Sequence, residues 1–159
     1  SNKSIPSNLT MNIRFIKTPE KRQIINKLNE QFGIEELPYL LIETGKEKIR
    51  GFSGHLSKDE ILQIARLTHI EIIGLYLIRK EFDYRLSTDA THLLKDQITK
   101  NTIELTEEQA QKWLHGHDLE IQREKGTYVL IYDGIPLGSG KSNGSVIFNH
   151  LPKDRRIRN

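Results

Sequence analysis

Gly140, Lys141 and Ser142 form a triplet whose residue types could bind a nucleotide phosphate, as at the end of a P-loop. A P-loop also needs a glycine at position 135, but Ile135 stands there and Gly134 lies one residue too early. The loop must lie between a strand and a helix, whereas the residues after Lys141 predict a turn and a strand. Glycines that relieve crowding in a bent strand explain the triplet better, and we exclude nucleotide hydrolysis by this motif.

The carboxyl-terminal end of the chain concentrates positive charge. Residues 141–159 contain one acid, Asp154, and five bases: Lys141, Lys153, Arg155, Arg156 and Arg158. Arginine forks suit phosphate oxygens, and Gly138 and Gly140 would let a ligand approach the backbone closely. This pattern predicts salt-sensitive binding of RNA rather than duplex DNA, because no predicted helix carries a basic recognition face. A solvated tail without a partner is the alternative interpretation.

Other kinds of chemistry have little support in the sequence. His115 and His117 are close in sequence, but they lie on either side of Gly116, where a helix should end, and the chain has no cysteine. The segment around Ser139 is too compact for the nucleophile elbow of a hydrolase. We therefore predict no catalytic residue, no metal ligand and no cofactor, and we predict that the protein is not an enzyme.

The composition is that of an ordinary globular protein. Of the 159 residues, 36% are hydrophobic and 28% charged, the formal net charge is +3, and the length suits one domain or two small ones. The absence of cysteine favours a cytoplasmic location, and the apolar runs are too short to span a bilayer, so no membrane association is expected. The polar residues 1–12 predict a disordered tail.

The first unit, over residues 13–100, predicts a mixed α/β domain. The expected strands are residues 37–43, 48–52, 70–78 and 81–86. Three helices are expected. The first is capped by Thr18 and ended by Gly33, and the second begins at the capping box Ser57 to Glu60 and reaches about His69. The third is capped by Ser87 or Thr88 and reaches about Gln97.

The second unit, over residues 101–159, predicts a small β-barrel with one helix at its end. Residues 102–105 and 118–122 are expected strands, and Thr106 to Gln109 is a capping box for a helix that ends near Gly116. The turn dipeptides Asp133-Gly134 and Asn143-Gly144 divide residues 127–148 into a three-stranded antiparallel meander. The basic end follows the last of these strands directly.

The second unit resembles a PUA domain, the module named after pseudouridine synthases and archaeosine transglycosylases. Residues 102–119 resemble its opening strand, helix and glycine loop, and residues 128–140 resemble its later strands. The closing residues 141–156 are most similar to the PUA-like domain at the carboxyl end of the Fmu/Sun family of rRNA cytosine methyltransferases. Residues 74–90 resemble the end of the "pre-PUA" domain of small ribosome-biogenesis proteins. The resemblance therefore implies an α+β fold: an amino-terminal pre-PUA-like domain and a carboxyl-terminal PUA-like β-barrel.

The resemblance also implies an RNA surface between the first PUA helix with its glycine loop and the last strands. On this sequence that surface comprises Lys112, Gly116, His117, Gly138, Gly140, Lys141, Lys153, Arg155, Arg156 and Arg158. No methyltransferase signature accompanies it, since no strand leads into a glycine-rich nucleotide loop. The sequence therefore predicts a non-catalytic protein that binds structured RNA, either rRNA or tRNA, in ribosome biogenesis or RNA modification. The alternative is an adaptor that docks an RNA methyltransferase or a ribosome assembly factor.

Overall fold

The computed structural model describes residues 13–45, 47–52, 55–67 and 74–158, and its architecture is α+β. The described strands are β1 (Ile13–Phe15), β2 (Leu40–Thr44), β3 (Lys48–Phe52), β4 (Leu75–Arg79), β5 (Arg85–Leu86), β6 (Thr102–Glu104), β7 (Gly126–Tyr132), β8 (Ile135–Ser142) and β9 (Ile147–Asn149). The described α-helices are α1 (Thr18–Phe32), α2 (Lys58–Ala65), α3 (Thr88–Leu93) and α4 (Glu107–Leu114). Short 3₁₀ turns occur at Lys95–Gln97 and Lys153–Arg155.

The first unit is a five-stranded antiparallel sheet in the order β1-β2-β3-β4-β5. Successive residues of a strand point to opposite faces, and both faces of this sheet are covered. Leu41 belongs to the core that includes Leu28 of α1, whereas Ile42 belongs to a second core that includes Ile61 of α2. The two helices therefore cover opposite sides of the sheet.

Local capping signals set the ends of the helices in the first unit. Gly33 ends α1 in the left-handed conformation (φ +85°), as predicted, and its N–H donates to the Asn29 carbonyl. The capping box between Ser57 and Glu60 is present at the start of α2. The predicted cap at Thr18 is wrong, because Thr18 is already the first helical residue and Lys17 holds the cap position without a side-chain hydrogen bond.

Several predicted strand boundaries in the first unit need correction. The strand expected at 37–43 begins only at Leu40, and the strand expected at 81–86 is reduced to Arg85–Leu86. The residues between β4 and β5 instead supply Glu81 to a cluster of ion pairs. For the strand expected at 70–78, the structure gives Leu75–Arg79. Residues 70–73 lie outside the described ones, as do the predicted tail at 1–12 and the predicted helix end at His69.

The second unit is a four-stranded sheet in the order β6-β7-β8-β9, and it confirms the predicted meander. Strands β7, β8 and β9 pair antiparallel, while β6 runs parallel to β7. Asp133 and Gly134 both have positive φ, which a tight hairpin turn of the mirror-image type requires. Lys141 and Ser142 lie within β8 and lead into β9 rather than a helix, in agreement with the rejection of a P-loop.

Two expectations for the second unit are wrong. The predicted strand at 118–122 is only an isolated bridge between Leu119 and Ile147. Within the part of the chain that the structure describes, the sheet does not close into the predicted β-barrel, because β6 and β9 do not pair with each other. Helix α4 covers the open sheet instead, with its fully buried Trp113 packed into the core.

The two units pack against each other along a seam between α3 and β8. Val129 of β7 joins the core of the first unit, and the His92 ring nitrogen Nε2 lies 2.8 Å from the Pro136 carbonyl oxygen. Two ion pairs also cross the seam: Lys141 with Glu81 and Arg155 with Asp89. The division at residues 100 and 101 remains a prediction, as does the pre-PUA-like character of the first unit.

Candidate nucleic-acid interface

The basic tail, residues 153–158, is held in place by backbone and side-chain hydrogen bonds, one of them to helix α4. The N–H of Ile157 donates to the Leu114 carbonyl at 2.8 Å, at the carboxyl end of the helix. Arg156 donates from Nε to the Leu151 carbonyl at 3.0 Å. The tail residues therefore have a defined position beside α4. This position argues against the alternative interpretation of a freely solvated tail.

The glycine loop after α4 lies directly beneath Arg156. Gly116 has φ +90°, and a Cβ added there would lie 2.6 Å from Cδ of Arg156. Asn149 of β9 fixes the same loop, because its side-chain amide donates to the carbonyls of Trp113 (2.8 Å) and His117 (3.0 Å). Two predicted parts of the surface that lie far apart in the sequence, the loop at Gly116 and His117 and the side chain of Arg156, are thus brought together.

The cationic and imidazole side chains of the predicted RNA surface are mostly exposed. The exposed residues are Lys112, His117, Lys153, Arg155 and Arg158, and Arg156 is half-buried. Two of these residues are in surface ion pairs, Lys112 with Glu108 at 3.4 Å and Arg155 with Asp89 at 3.0 Å. Such exposed pairs contribute little, typically about 0–1 kcal/mol, so a phosphate could exchange with either carboxylate at small cost.

Lys141 lies at the seam between the units. Its Nζ is 2.5 Å from a Glu81 carboxylate oxygen, and Arg79 and Arg85 approach the same carboxylate at 3.6 and 3.5 Å. Burial raises the pKa of Glu81, but the hydrogen bond from Lys141 and the nearby arginines hold it below its usual value. Arg79 and Arg85 therefore pair with Glu81, whereas Lys80 pairs with Glu43.

Gly138 and Gly140 are buried, and protein atoms occupy the space beside them. A Cβ on Gly140 would lie 2.6 Å from Cγ2 of Ile147 and 2.8 Å from Cη2 of Trp113. Gly138 has φ +103°, and its Cβ would lie 3.0 Å from Oγ1 of Thr88. The structure therefore uses the missing side chains for packing against α4 and α3, and the exposed cations are the better candidates for direct contact with a ligand.

Sequence reasoning missed Phe148, an aromatic side chain on the face of β9. It is 40% exposed and lies opposite Lys141 in the pairing of β8 with β9. The alternation of buried Ile147 with exposed Phe148 is the signal that could have found it. An exposed aromatic ring beside a cation can stack a base, so Phe148 is a further candidate contact next to Lys141.

His150 follows strand β9 and is removed from solvent in part. It is half-buried, and burial together with the positive charge of Arg85 lowers its pKa from 6.5 to about 4. Lys141 lowers this pKa further, while Glu81 and Asp118 oppose the shift. His150 is therefore uncharged at neutral pH.

The lowered pKa of His150 predicts that the folded state loses stability in mild acid. Because the unfolded histidine binds its proton at a pH near 6.5 and the folded one only near 4, the free energy of unfolding should fall as the pH drops from about 6.5 to 4. Urea unfolding at about pH 7.5, 5.5 and 4.5 should show this decrease, and His150→Asn should reduce it. His117→Asn serves as the exposed control. If the free energy of unfolding depended equally on pH in the wild type and in His150→Asn, the lowered pKa of His150 would not be the cause of the acid sensitivity.

Within the described part of the chain, no group of three or more His, Asp or Glu side chains is placed to hold a metal ion. Nor is any helix there long and apolar enough to cross a membrane.

Comparison with known proteins identifies similar sequences. Residues 100–157 match the family model described as "Methyltransferase RsmF PUA domain". The chain is 39% identical over 151 residues to the ribosomal RNA small subunit methyltransferase F of Shewanella piezotolerans, an alignment that covers 90% of this chain. It is also 37% identical over 57 residues to the protein of the same name from Shewanella oneidensis. This second alignment covers 34% of this chain.

These alignments cover 30% and 12%, respectively, of the two methyltransferases, so the chain spans less than a third of either relative. The family model that matches is that of the PUA domain and not of the catalytic domain. The match over 100–157 includes α4, the glycine loop, the meander and the basic tail.

Proposed function

We propose that this chain binds structured RNA through residues 100–157, which form a PUA-like domain resembling the carboxyl-terminal domain of the Fmu/Sun family of rRNA methyltransferases. The observation that carries the proposal is the position of the basic tail, fixed beside α4 with Arg156 over the glycine loop. This arrangement holds several cations in a defined relation to one another, as binding to an RNA backbone of fixed shape requires.

The proposed contacts fall into two groups. Lys112, His117, Lys153, Arg155 and Arg158 present exposed side chains that could contact phosphates directly. Arg156, Gly116, Gly138, Gly140 and Lys141 would act mainly by positioning, since each is engaged in packing or in a hydrogen bond within the protein.

The proposed role is non-catalytic: the protein would hold rRNA or tRNA for a partner enzyme during RNA modification or ribosome biogenesis, in the cytoplasm. The names of the relatives favour rRNA as the ligand. The proposed pre-PUA-like first unit would extend or orient the RNA surface across the seam.

A second function class is a protein-interaction adaptor for an RNA methyltransferase or an assembly factor. The observation in its favour is Phe82, an aromatic side chain that is 93% exposed on the first unit. A Phe82→Ser variant that loses a methyltransferase partner but keeps RNA affinity would favour this class. Retention of both would count against it.

The RNA proposal predicts a specific loss on charge reversal. Filter binding of structured rRNA fragments should be salt-sensitive, and Lys153→Glu with Arg158→Glu should weaken binding about tenfold at low salt. The slope of log K against log salt should fall by about two, because two phosphate contacts are lost. These residues are preferred to Arg155 and Arg156, whose side chains also make contacts within the protein.

The matched control is Lys17→Glu with Lys58→Glu, which changes the net charge equally at two exposed positions of the first unit. It should leave the salt slope nearly unchanged. Absence of salt-sensitive binding at micromolar protein, or an equal loss in both double variants, would contradict the proposal.

A further inference from the structure

A small cleft opens on the seam between the two units. Its volume is about 80 Å³. The residues that matter most in its lining are Tyr76, Arg85 and Leu86 from the first unit and Ser139, His150 and Pro152 from the second. Asp89 and Arg155, the ion pair that crosses the seam, lie at the same cleft. We refer to it as the seam cleft.

Three buried polar atoms from both units belong to residues that line the seam cleft. They are Ser139 Oγ, Arg85 Nε and His150 Nε2, and none has a hydrogen-bond partner among the residues that the structure describes. Ser139 is only 4% exposed. Buried polar groups are nearly always satisfied in native proteins, so a concentration of unsatisfied ones around a cleft points to a ligand that satisfies them.

Ser87 and Thr88 also line the cleft, but most of its lining surface is apolar. The ring of Tyr76, the Leu86 side chain and the Pro152 ring contribute to it. A mostly apolar cleft with a few convergent polar atoms has the composition of a ligand site, and at about 80 Å³ it is well below the roughly 300–1,000 Å³ of a drug-sized pocket. An aromatic wall beside hydrogen-bonding atoms is the arrangement with which proteins bind bases turned out of an RNA strand.

The charges in the lining favour an uncharged ligand over a phosphate. Arg155 pairs with Asp89 at 3.0 Å, and Arg85 lies 3.5 Å from Glu81. His150 is uncharged at neutral pH, since burial lowers its pKa to about 4. A phosphate could displace the more exposed Asp89 from Arg155 at small cost, but it would have to compete with the more buried Glu81 for Arg85. The donor and acceptor edge of a nucleobase would leave both ion pairs intact.

The volume of the cleft limits the size of the base. Since one water needs roughly 10–15 Å³ on this scale, the seam cleft has room for about six water-sized groups. This space suits a single-ring base better than a two-ring purine. Its position also fits an RNA ligand, because Arg155 belongs both to the cleft lining and to the basic tail.

We propose that the seam cleft takes one pyrimidine nucleobase from an unpaired position of the bound RNA, stacked on Tyr76 and hydrogen-bonded by Ser139, His150 and Arg85. This inference rests on the proposed RNA-binding function and deepens it. The first unit would then contribute base recognition, while the tail contributes contacts to the backbone.

The test is a titration of the full chain, in separate experiments, with uridine, cytidine, adenosine and inorganic phosphate. Each titration is monitored by NMR through the imidazole nitrogen signals of His150. The signal is identified by its loss in His150→Asn. We expect both pyrimidine nucleosides to shift it at millimolar concentrations, with adenosine and phosphate having little effect. Ser139→Ala should weaken the response about fivefold and Tyr76→Ala about tenfold, whereas Ser145→Ala, at an exposed turn, should not change it.

Thermal unfolding of each variant by circular dichroism separates a loss of binding from a loss of folding. Phosphate alone shifting the signal would overturn the assignment in favour of an anion site, and an equal response to adenosine would overturn the pyrimidine preference. Salt-sensitive RNA binding without any nucleoside response would overturn the seam cleft alone. Absence of RNA binding in the filter assay would instead overturn the proposed function.

Discussion

Replacing Trp113 with alanine is expected to lower the free energy of unfolding by about 3–5 kcal/mol, the usual range for truncation of a large buried aromatic side chain. Trp113 is fully buried in the core of the second unit and packs against Gly140 of β8. Its indole Nε1–H donates to the Leu137 carbonyl at 2.8 Å. The substitution removes both the packing and this hydrogen bond, which together hold α4 on the sheet.

Urea denaturation of the full chain measures this loss. Trp113→Phe should lower the free energy of unfolding less than Trp113→Ala, because it keeps an aromatic ring in the core. Some loss should remain, because the Leu137 carbonyl has no donor in this variant. Leu93→Ala is the control, since Leu93 is 50% exposed and should change stability by less than about 1 kcal/mol. A loss at Trp113→Ala no larger than that of the control would mean that α4 is not anchored by this residue.

Gly140→Ala is expected to cost about 3 kcal/mol, at the upper end of the usual cost of overpacking a core. The new Cβ would lie 2.6 Å from Ile147 Cγ2, 2.8 Å from Trp113 Cη2 and 2.9 Å from the backbone oxygen of Phe148. Because one of these atoms belongs to the backbone of the paired strand β9, rotation of a side chain cannot relieve the contact. The substitution should therefore separate β8 from β9 or displace α4.

Gly45→Ala is a matched control for the change in unfolded-state entropy. Gly45 has φ +63°, so alanine is strained there by about 1 kcal/mol, but a Cβ would meet no atom within 4 Å. The midpoint of urea unfolding should fall further for Gly140→Ala than for Gly45→Ala. An equal or smaller effect at Gly140 would contradict the close packing of Trp113 against β8.

The features that the sequence predicted correctly depend on contacts between near neighbours. Asp133-Gly134 specifies a tight turn by its own backbone preferences, and the meander follows from it. The capping boxes at Ser57 and Thr106 join residues three positions apart. Such signals need no knowledge of the tertiary structure, so they are visible in the sequence.

The features that the sequence did not predict depend on residues far apart in the chain. The partner of Lys141 is Glu81, 60 residues earlier, and no local pattern indicates this pairing. The residues predicted as a strand at 118–122 have suitable types, but only Leu119 finds a neighbouring strand. The lining of the seam cleft comes from both units, so it exists only after they pack together.

The interpretation of Gly138 and Gly140 also changed for a physical reason. Glycine permits a close approach by any neighbouring group, and the sequence cannot identify that group. In the structure the neighbours are Thr88 and Trp113 of the protein itself. The two glycines therefore do permit a close approach, as their residue type predicts, but the groups that approach them belong to the protein and not to a ligand.

The central claim is that structured RNA contacts the glycine loop and the basic tail. Ultraviolet crosslinking of the full chain to a structured rRNA fragment, followed by mass spectrometry of the crosslinked peptides, tests it most directly. We predict crosslinks in peptides that contain residues 112–117 and 148–158, which should disappear as the salt concentration rises. Crosslinks confined to the β1 side of the first unit, or none at micromolar protein, would contradict the claim.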